Sequence, residues 1–519
     1  MKKFFISIPF LLVAFGMITT GCKKETINNN YYNPDKAVTA NIPALYAGMF
    51  VNDRVNPHYW NLYTFLIPVI GTYTQTSGYS AGSKMYEQPV NYTQDRWNYY
   101  YTNTIAQYRE IEKYYNNLTT DEEKAGFQIF METAKIFLYD QTTQMVDMWG
   151  DIPFSKAGQL NSTGTITLAS YDKGADIYDT ALTDLKRISD YLTTAAPSDY
   201  YINLFKSNDF VNKGSITAWQ KYCNSLRLRL AMRISNQDEM KAKTIIQEIL
   251  GNPTQYPVID NVSENAVIQP SSTTSSLVSV NDIRNGFGVN PLAPGKMVDS
   301  VMVPTNDPRL PIYFTANKNG EYHGVPNTWN AARVTDSTTA NYFSRYDSTT
   351  FTENNLFPGI LITAAEVSFI KAEAYERWGG GTAKDAYDNG IRQSIEFYTQ
   401  INNNSDYAGG KKEAMPSESA IAAYLAQPSI VYDGTNSLEK IMTQKWIDFN
   451  IMQATQAWAE WRRTGYPQLN FPPDPSSVLS PTVPNRLLYP STERTLNSAN
   501  YQAVQGEDNI NTKVFWDVN

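Results

Sequence analysis

The chain has 519 residues, with 43 Lys and Arg against 51 Asp and Glu, for a formal net charge of −8 at pH 7. That mildly acidic balance argues against nucleic-acid binding, whose footprint is a basic patch. Two histidines, His58 and His323, cannot build a histidine-rich metal site, and the two cysteines, Cys22 and Cys223, supply no disulfide framework.

The N-terminus has three parts. Lys2 and Lys3 form a basic head, Phe4 to Met17 is almost wholly apolar, and Ile18-Thr19-Thr20-Gly21 brings small residues up to Cys22. This is the layout of a signal peptide, its apolar part too short for the ~20 residues of a membrane span. Small residues followed at once by cysteine are similar to the bacterial lipobox, although Thr19 stands where that motif prefers leucine. Residues 1–21 therefore read as a lipoprotein signal peptide and Cys22 as the lipidation site. Acyl chains there, each contributing about 0.8 kcal/mol per buried methylene, would hold the chain on a bilayer. Residues 22–39 lack apolar periodicity and read as a tether. As a flexible coil the stretch 23–37 spans about 21 Å, and a compact body of this length has a radius of gyration of about 23 Å. The body is thus expected to work close to the membrane. Lys23, in place of Asp, is compatible with sorting to an outer membrane, and "KKET" carries only Glu25 as an acidic residue.

Farther along, Thr120-Asp121-Glu122-Glu123 predicts a capping box. It opens a helix whose apolar stripe is Phe127, Phe130, Ala134, Phe137, Met145 and Met148, stopping at "WGDIPF". Residues 172–194 place Ile177, Ala181, Leu185 and Ile188 at helical spacing, and 215–234 with 236–250 form another pair. From 251 to 360 the chain is rich in Ser, Thr, Asn, Pro and Gly, which predicts long loops and a few short strands. "AAEVSFIKAEAYERW" (364–378) reads as a helix, "GGG" (379–381) as its break, and Thr382 as the cap of a second helix, making a helical hairpin. A helix from Leu438 carries Ile441, Met442, Trp446, Phe449 and Met452 on one side, and 466–519 is irregular. The predicted fold is mostly α. Tetratricopeptide-like helical pairs form a scaffold, with long ordered loops between them and no fixed-period repeat.

"GYSAG" (78–82) matches the nucleophile-elbow pattern, but Pro89 interrupts a following helix and only His323 lies downstream, so a Gly/Ser-rich loop is the reading. "RRTGYP" (462–467) ends a helix on two cations, the favourable end of its dipole. No catalytic or metal-binding constellation is legible. Tyrosine is abundant, 36 residues against 22 Phe and 10 Trp, and its apolar face with a polar tip suits surfaces that hold sugars or peptides.

Together, "MWGDIPFSKA" (148–157), "WQKYCNSLRLRLAMRIS" (219–235), "DPRLPIYF" (307–314), "TAAEVSFIKAEAYERWG" (363–379), "QKWIDFNIMQATQAWAEWRRTGYP" (444–467) and "VPNRLLYPSTERTLNSANY" (483–501) fall in an order that resembles the SusD/RagB family, in particular its SusD-like nutrient-binding outer-membrane lipoproteins. The resemblance spans residues 40–519 and implies one α-rich ligand-binding domain. It also implies lipid anchoring at the outer membrane facing the exterior, and a SusC-like TonB-dependent transporter as partner. The ligand would be a glycan, an oligosaccharide or a peptide, passed inward with no cofactor and no covalent chemistry. In that reading the shared motifs are scaffold: Asp151 and Pro153 fix a turn, and Arg462 and Arg463 fix helix packing. Ligand contacts are expected from aromatic loops, 71–97 and 319–346, with Tyr73, Gln75, Tyr79, Tyr86, Trp97, Tyr322, Trp329 and Tyr342 as candidates. A surface glycoside hydrolase and a structural or adhesive surface lipoprotein are the competing readings.

Overall fold

The computed structural model describes residues 41–82, 84–166, 168–270, 283–288, 292–477 and 480–519. The expected signal peptide, Cys22 and the tether lie outside these residues. Residues Ile42–Asn519 form one unit built on helical pairs.

Helix α1 (Ile42–Phe50) precedes two composite helices. The first, α2 (59–74), joins Tyr59–Asn61, a π-helical run Leu62–Ile70 and Gly71–Thr74. Pro68 lies inside the π run, where wider turns accommodate a residue with no N–H to donate. The second, α3 (90–116), joins Val90–Tyr99, a π run Tyr100–Ile105 and Ala106–Asn116. The stretch 71–97 is therefore not the single aromatic loop that the family resemblance implies, since both its ends are helical. Trp97, Tyr100, Thr104, Tyr108 and Ile111 recur at three- and four-residue spacing and are all buried, so these aromatics form the core face of a helix.

The long helix α4 (Asp121–Trp149) starts as its sequence dictates. Thr120 Oγ1 accepts from the Glu123 N–H at 3.2 Å, the N-cap half of a capping box, and donates to Glu123 Oε2 at 2.8 Å. Phe130, Ala134, Phe137, Met145 and Met148 are buried, with Phe127 packed at the edge. Then follow α5 (Gly174–Thr194), α6 (Ile216–Arg233) and α7 (Glu239–Gly251), each packed on the next. Late in the chain α8 (Ala364–Trp378) and α9 (Ala383–Asn404) make the expected hairpin. Gly379 and Gly380 break it in the left-handed region, at φ 71° and 94°, and Thr382 takes the N-cap position but makes no side-chain capping bond. Helices α10 (Ser437–Phe449) and α11 (Ala454–Thr464) complete the tetratricopeptide-like scaffold, α10 packing against both α8 and α11.

Ion clusters with almost no exposure tie these helices together. Arg463 on α11 reaches both Glu373 oxygens on α8 at 2.7 Å and Glu460 at 2.6 Å. Glu460 also meets Arg233 of α6 at 2.8 Å and Lys445 of α10 at 3.4 Å. Burial would raise the Glu460 carboxyl, but Arg463, Lys445 and Arg233 outweigh it and hold the group well below the usual carboxylate range. A second cluster pairs Arg229 of α6 with Glu366 of α8 at 2.6 Å and Asp140 of α4 at 3.1 Å. In a third, Arg309 bonds Asp307 and Gln444, both at 2.6 Å. Burying such charges is costly, and removing one partner leaves the others uncompensated. Asp151 fixes the turn after α4 by accepting from the Gly174 N–H at 2.8 Å, and Arg462 donates to the Asp147 and Asn485 carbonyls at 2.8 and 2.7 Å.

Among the described residues the strands form three two-stranded antiparallel sheets. They are β1 (Ile152–Pro153) with β2 (Tyr171–Asp172), β3 (Ala266–Ile268) with β6 (Gly359–Ile362), and β4 (Phe314–Thr315) with β5 (Arg345–Tyr346). The β4–β5 pair roots the excursion that carries the candidate site.

Candidate ligand-binding site

Between β4 and β5 the chain leaves the scaffold, forms the helix Ala331–Thr339 and returns. Asn330 caps that helix, its Oδ1 accepting from the Arg333 N–H at 2.9 Å. The base of the excursion is laced to two other segments. The Val325 N–H donates to the Ala293 carbonyl at 2.8 Å, Gly295 N–H to Val325 at 3.0 Å, Gly78 N–H to Leu292 at 3.1 Å and Ala81 N–H to Trp329 at 2.6 Å. Such approach requires glycine, since a Cβ on Gly324 would lie 2.5 Å from Pro294 backbone atoms and one on Gly78 would lie 2.8 Å from the Ala293 and Leu292 carbonyls. The first glycine of "GYSAG" is thus explained by close backbone packing, and it follows a helical turn, not the strand that a nucleophile elbow needs.

Leu292, Val325 and Phe343 form a small buried core here, with Trp329 and Val334 packed against it. On that core stands a ladder of planar groups. The His323 ring stacks on Tyr342 with centroids 4.6 Å apart and planes 5° apart; Tyr342 faces Trp329 at 6.3 Å and 20°; and the Arg333 guanidinium carbon lies 3.4 Å from the Trp329 ring centre. Tyr342 is 38% exposed. Asp299 orients the ladder, its Oδ1 3.1 Å from His323 Nδ1 and its Oδ2 accepting from the Gly324 N–H at 2.9 Å. Glu321 Oε2 lies 3.6 Å from His323 Nε2. The helical segment 295–302 that carries Asp299 also lines, through Lys296, Ser300 and Val301, a neighbouring cavity of about 380 Å³.

Of the candidates named from sequence, Trp329 and Tyr342 are rungs of this ladder. Tyr322, half-buried beside His323, and Tyr79 lie next to it. Tyr79 accepts from Asn327 Nδ2 at 3.2 Å, and burial pushes its hydroxyl up to about 12. The other four sit inside the scaffold. Tyr73 donates to the Tyr86 carbonyl at 3.0 Å and packs on Trp458; Tyr86 donates to the Pro472 carbonyl at 2.8 Å. Gln75 donates to the Asn470 carbonyl at 2.6 Å, and Trp97 lies among Trp149, Tyr489 and Tyr101. All four are at most 3% exposed, so their ring faces and amide are already occupied by protein. Sequence reasoning passed over His323 and Arg333, although "EYHG" sets His323 directly after Tyr322. It also passed over Trp60 and Tyr63, 50% and 38% exposed, where Tyr59 and Tyr63 stack at 5.0 Å. Chemically the ladder offers the apolar rim of an aromatic stack, edged by amide, imidazole and carboxylate groups, with an indole face that Arg333 covers. That combination suits a ligand with C–H faces and hydroxyl rims.

The family model described as "Starch-binding associating with outer membrane" (SusD-like) matches residues 48–490. The chain belongs to the SusD-like family. No curated protein matches this SusD-like chain. Among solved structures, a chitin-binding protein is similar at a TM-score of 0.74 and 25% identity, covering 92% of this chain and 100% of its own. A chitin-binding SusD homologue from Flavobacterium johnsoniae aligns at 0.71 and 23% identity, covering 92% and 99%. A SusD homologue from Bacteroides uniformis aligns at 0.71 and 22%, covering 93% and 100%. Among the described residues no helix is long and apolar enough to cross a membrane.

Proposed function

We propose that this SusD-like protein is a cell-surface lipoprotein that captures a glycan or oligosaccharide and hands it to a SusC-like TonB-dependent transporter. It is held on the outer membrane by acylated Cys22 and performs no covalent chemistry. The observation that carries the reading is the part-exposed Trp329–Tyr342–His323 ladder, standing on a close-packed base in a chain of this family. Sugar rings would lie against Trp329 and Tyr342, with Tyr79 and Tyr322 beside them. Chitin oligosaccharides are the first ligands to try, because the solved relative at 25% identity is a chitin-binding protein. Calorimetric titration against chitin, starch and peptide panels tests the capture step. Co-purification of a barrel transporter with the tagged lipoprotein tests the partner. Saturable binding to one glycan class with no loss of glycan on prolonged incubation is expected. Turnover of the ligand, or no binding to any member of the panels, would sink the reading.

A further inference from the structure

Away from the ladder, where the start of α2 and α3 meet α4 and the 452–456 turn, two arginines are buried with too few acceptors. Arg54 is 9% exposed and Arg96 5%. Arg96 Nη1 donates to the Arg54 carbonyl at 3.3 Å, so the two side chains are neighbours. Asp95 pairs with Arg54 through Nη2 from a half-exposed position. Arg54 Nε, Arg54 Nη1 and Arg96 Nε have no hydrogen-bond acceptor among the described residues. No carboxylate among the described residues lies within ion-pair distance of Arg96, in contrast to Arg229, Arg309 and Arg463. Both arginines line one cavity of about 40 Å³, whose other polar walls are Asn61, Gln141, Gln144, Thr455, Gln453 and Gln456. None of those side chains carries charge. Burial, with Arg54 adding like charge, pushes the Arg96 guanidinium down to about 9. Arginine nevertheless stays protonated in proteins, so two cations share one hollow whose nearby counter-charges, Asp95 and Asp53, both stand in part-exposed positions outside it.

We propose that this cavity is an anion site that takes one small oxyanion, either free in solution or carried as the carboxylate or sulfate of an acidic saccharide. The forked N–H donors match such an oxyanion in geometry and sign. The volume exceeds the 10–15 Å³ or so that one water requires, leaving room for a small anion. Gln453 Oε1, buried at the same wall, also has no hydrogen-bond partner among the described residues.

The test is calorimetry and thermal unfolding of the full chain in low-salt zwitterionic buffer, titrated with sodium sulfate, sodium acetate, methyl glucuronoside and neutral methyl glucoside. Saturable binding of at least one anion, with none of methyl glucoside at this site, is expected. Glucuronoside at least tenfold tighter than acetate identifies a saccharide source, and equal affinities identify a free ion. Arg96→Gln should weaken that anion at least tenfold while leaving the circular dichroism spectrum unchanged. Should Arg96→Gln fail to fold, Gln453→Glu puts a carboxylate of the same shape at the cavity wall. That variant should raise the unfolding temperature in low salt and abolish the anion response. No saturable response to any anion, or an anion response that survives Gln453→Glu, overturns the proposal. Because the neutral-glycan ladder lies elsewhere, its success or failure is read separately in the chitin titration.

Discussion

The scaffold and the 292–346 layer use opposite chemistry at opposite depths. In the scaffold, Arg463, Glu373, Glu460 and Arg233 are charged, ion-paired and hidden. In the outer layer, Trp329, Tyr342 and His323 are stacked with edges left to solvent. A buried charge must find its partner, so the clusters specify which helices meet. An exposed ring keeps surface in reserve for something else. Charge does the positioning here and aromatic surface does the receiving.

The comparison breaks most severely at the charges. Arg463→Ala leaves Glu373 and Glu460 short of a cation and should cost about 3–5 kcal/mol, read as a lower urea midpoint. Two tryptophans then separate depth from exposure. Trp97→Ala should cost about 3–5 kcal/mol in stability through the cavity left beside Trp149, with glycan affinity intact in the folded fraction. Trp329 is half-buried on the small Leu292–Val325–Phe343 core, so Trp329→Ala should cost less, about 1 kcal/mol. A tenfold loss of glycan affinity is the expectation for Trp329→Ala, equivalent to about 1.4 kcal/mol. Equal effects of the two substitutions on binding would erase the distinction.

Between these lies a titration. Asp448 on α10 is buried, its Oδ1 has no hydrogen-bond partner, and burial pushes its carboxyl up to about 7, with Ser394 and Arg309 opposing. The native state keeps a proton that the unfolded chain surrenders near pH 4, so this group's contribution falls as pH rises from about 4 to about 7. From pH 4.5 to 8 the loss is about 3 kcal/mol, and Asp448→Asn should flatten that much of the stability profile. A profile identical to the parent chain's would place the proton elsewhere. The smallest expected effect is none. Burial pushes the Cys223 thiol up to about 12, so in a Cys22→Ser background no thiol should react with Ellman's reagent before unfolding.

These contrasts explain what could be read in advance. The helices from Asp121 to Phe449 announce themselves through apolar stripes and caps, because a 3.6-residue period is a local property. The stretch 90–116 is equally periodic, but its core face is written in Trp and Tyr, residue types that serve a buried face and a ligand surface equally well. Trp97 and Trp329 are the same residue in similarly polar surroundings. Only the fold places Trp97 beside Trp149 and leaves Trp329 at an edge. The ladder joins residues from 323, 329, 333 and 342 through strand pairing and backbone lacing, and no linear pattern carries that juxtaposition.

Arg333 lies flat on one face of Trp329, and this has a kinetic and thermodynamic corollary. A sugar seeking that face competes with a resident occupant, so the measured affinity is the intrinsic one scaled by the fraction of time the guanidinium is elsewhere. Residues 329 and 333 are four apart in the chain, so the displaced side chain stays at high local concentration and can re-cover the indole the moment a ligand loosens. Capture and release are then set by one exchange, and a protein that must surrender its cargo gains a built-in means of letting go.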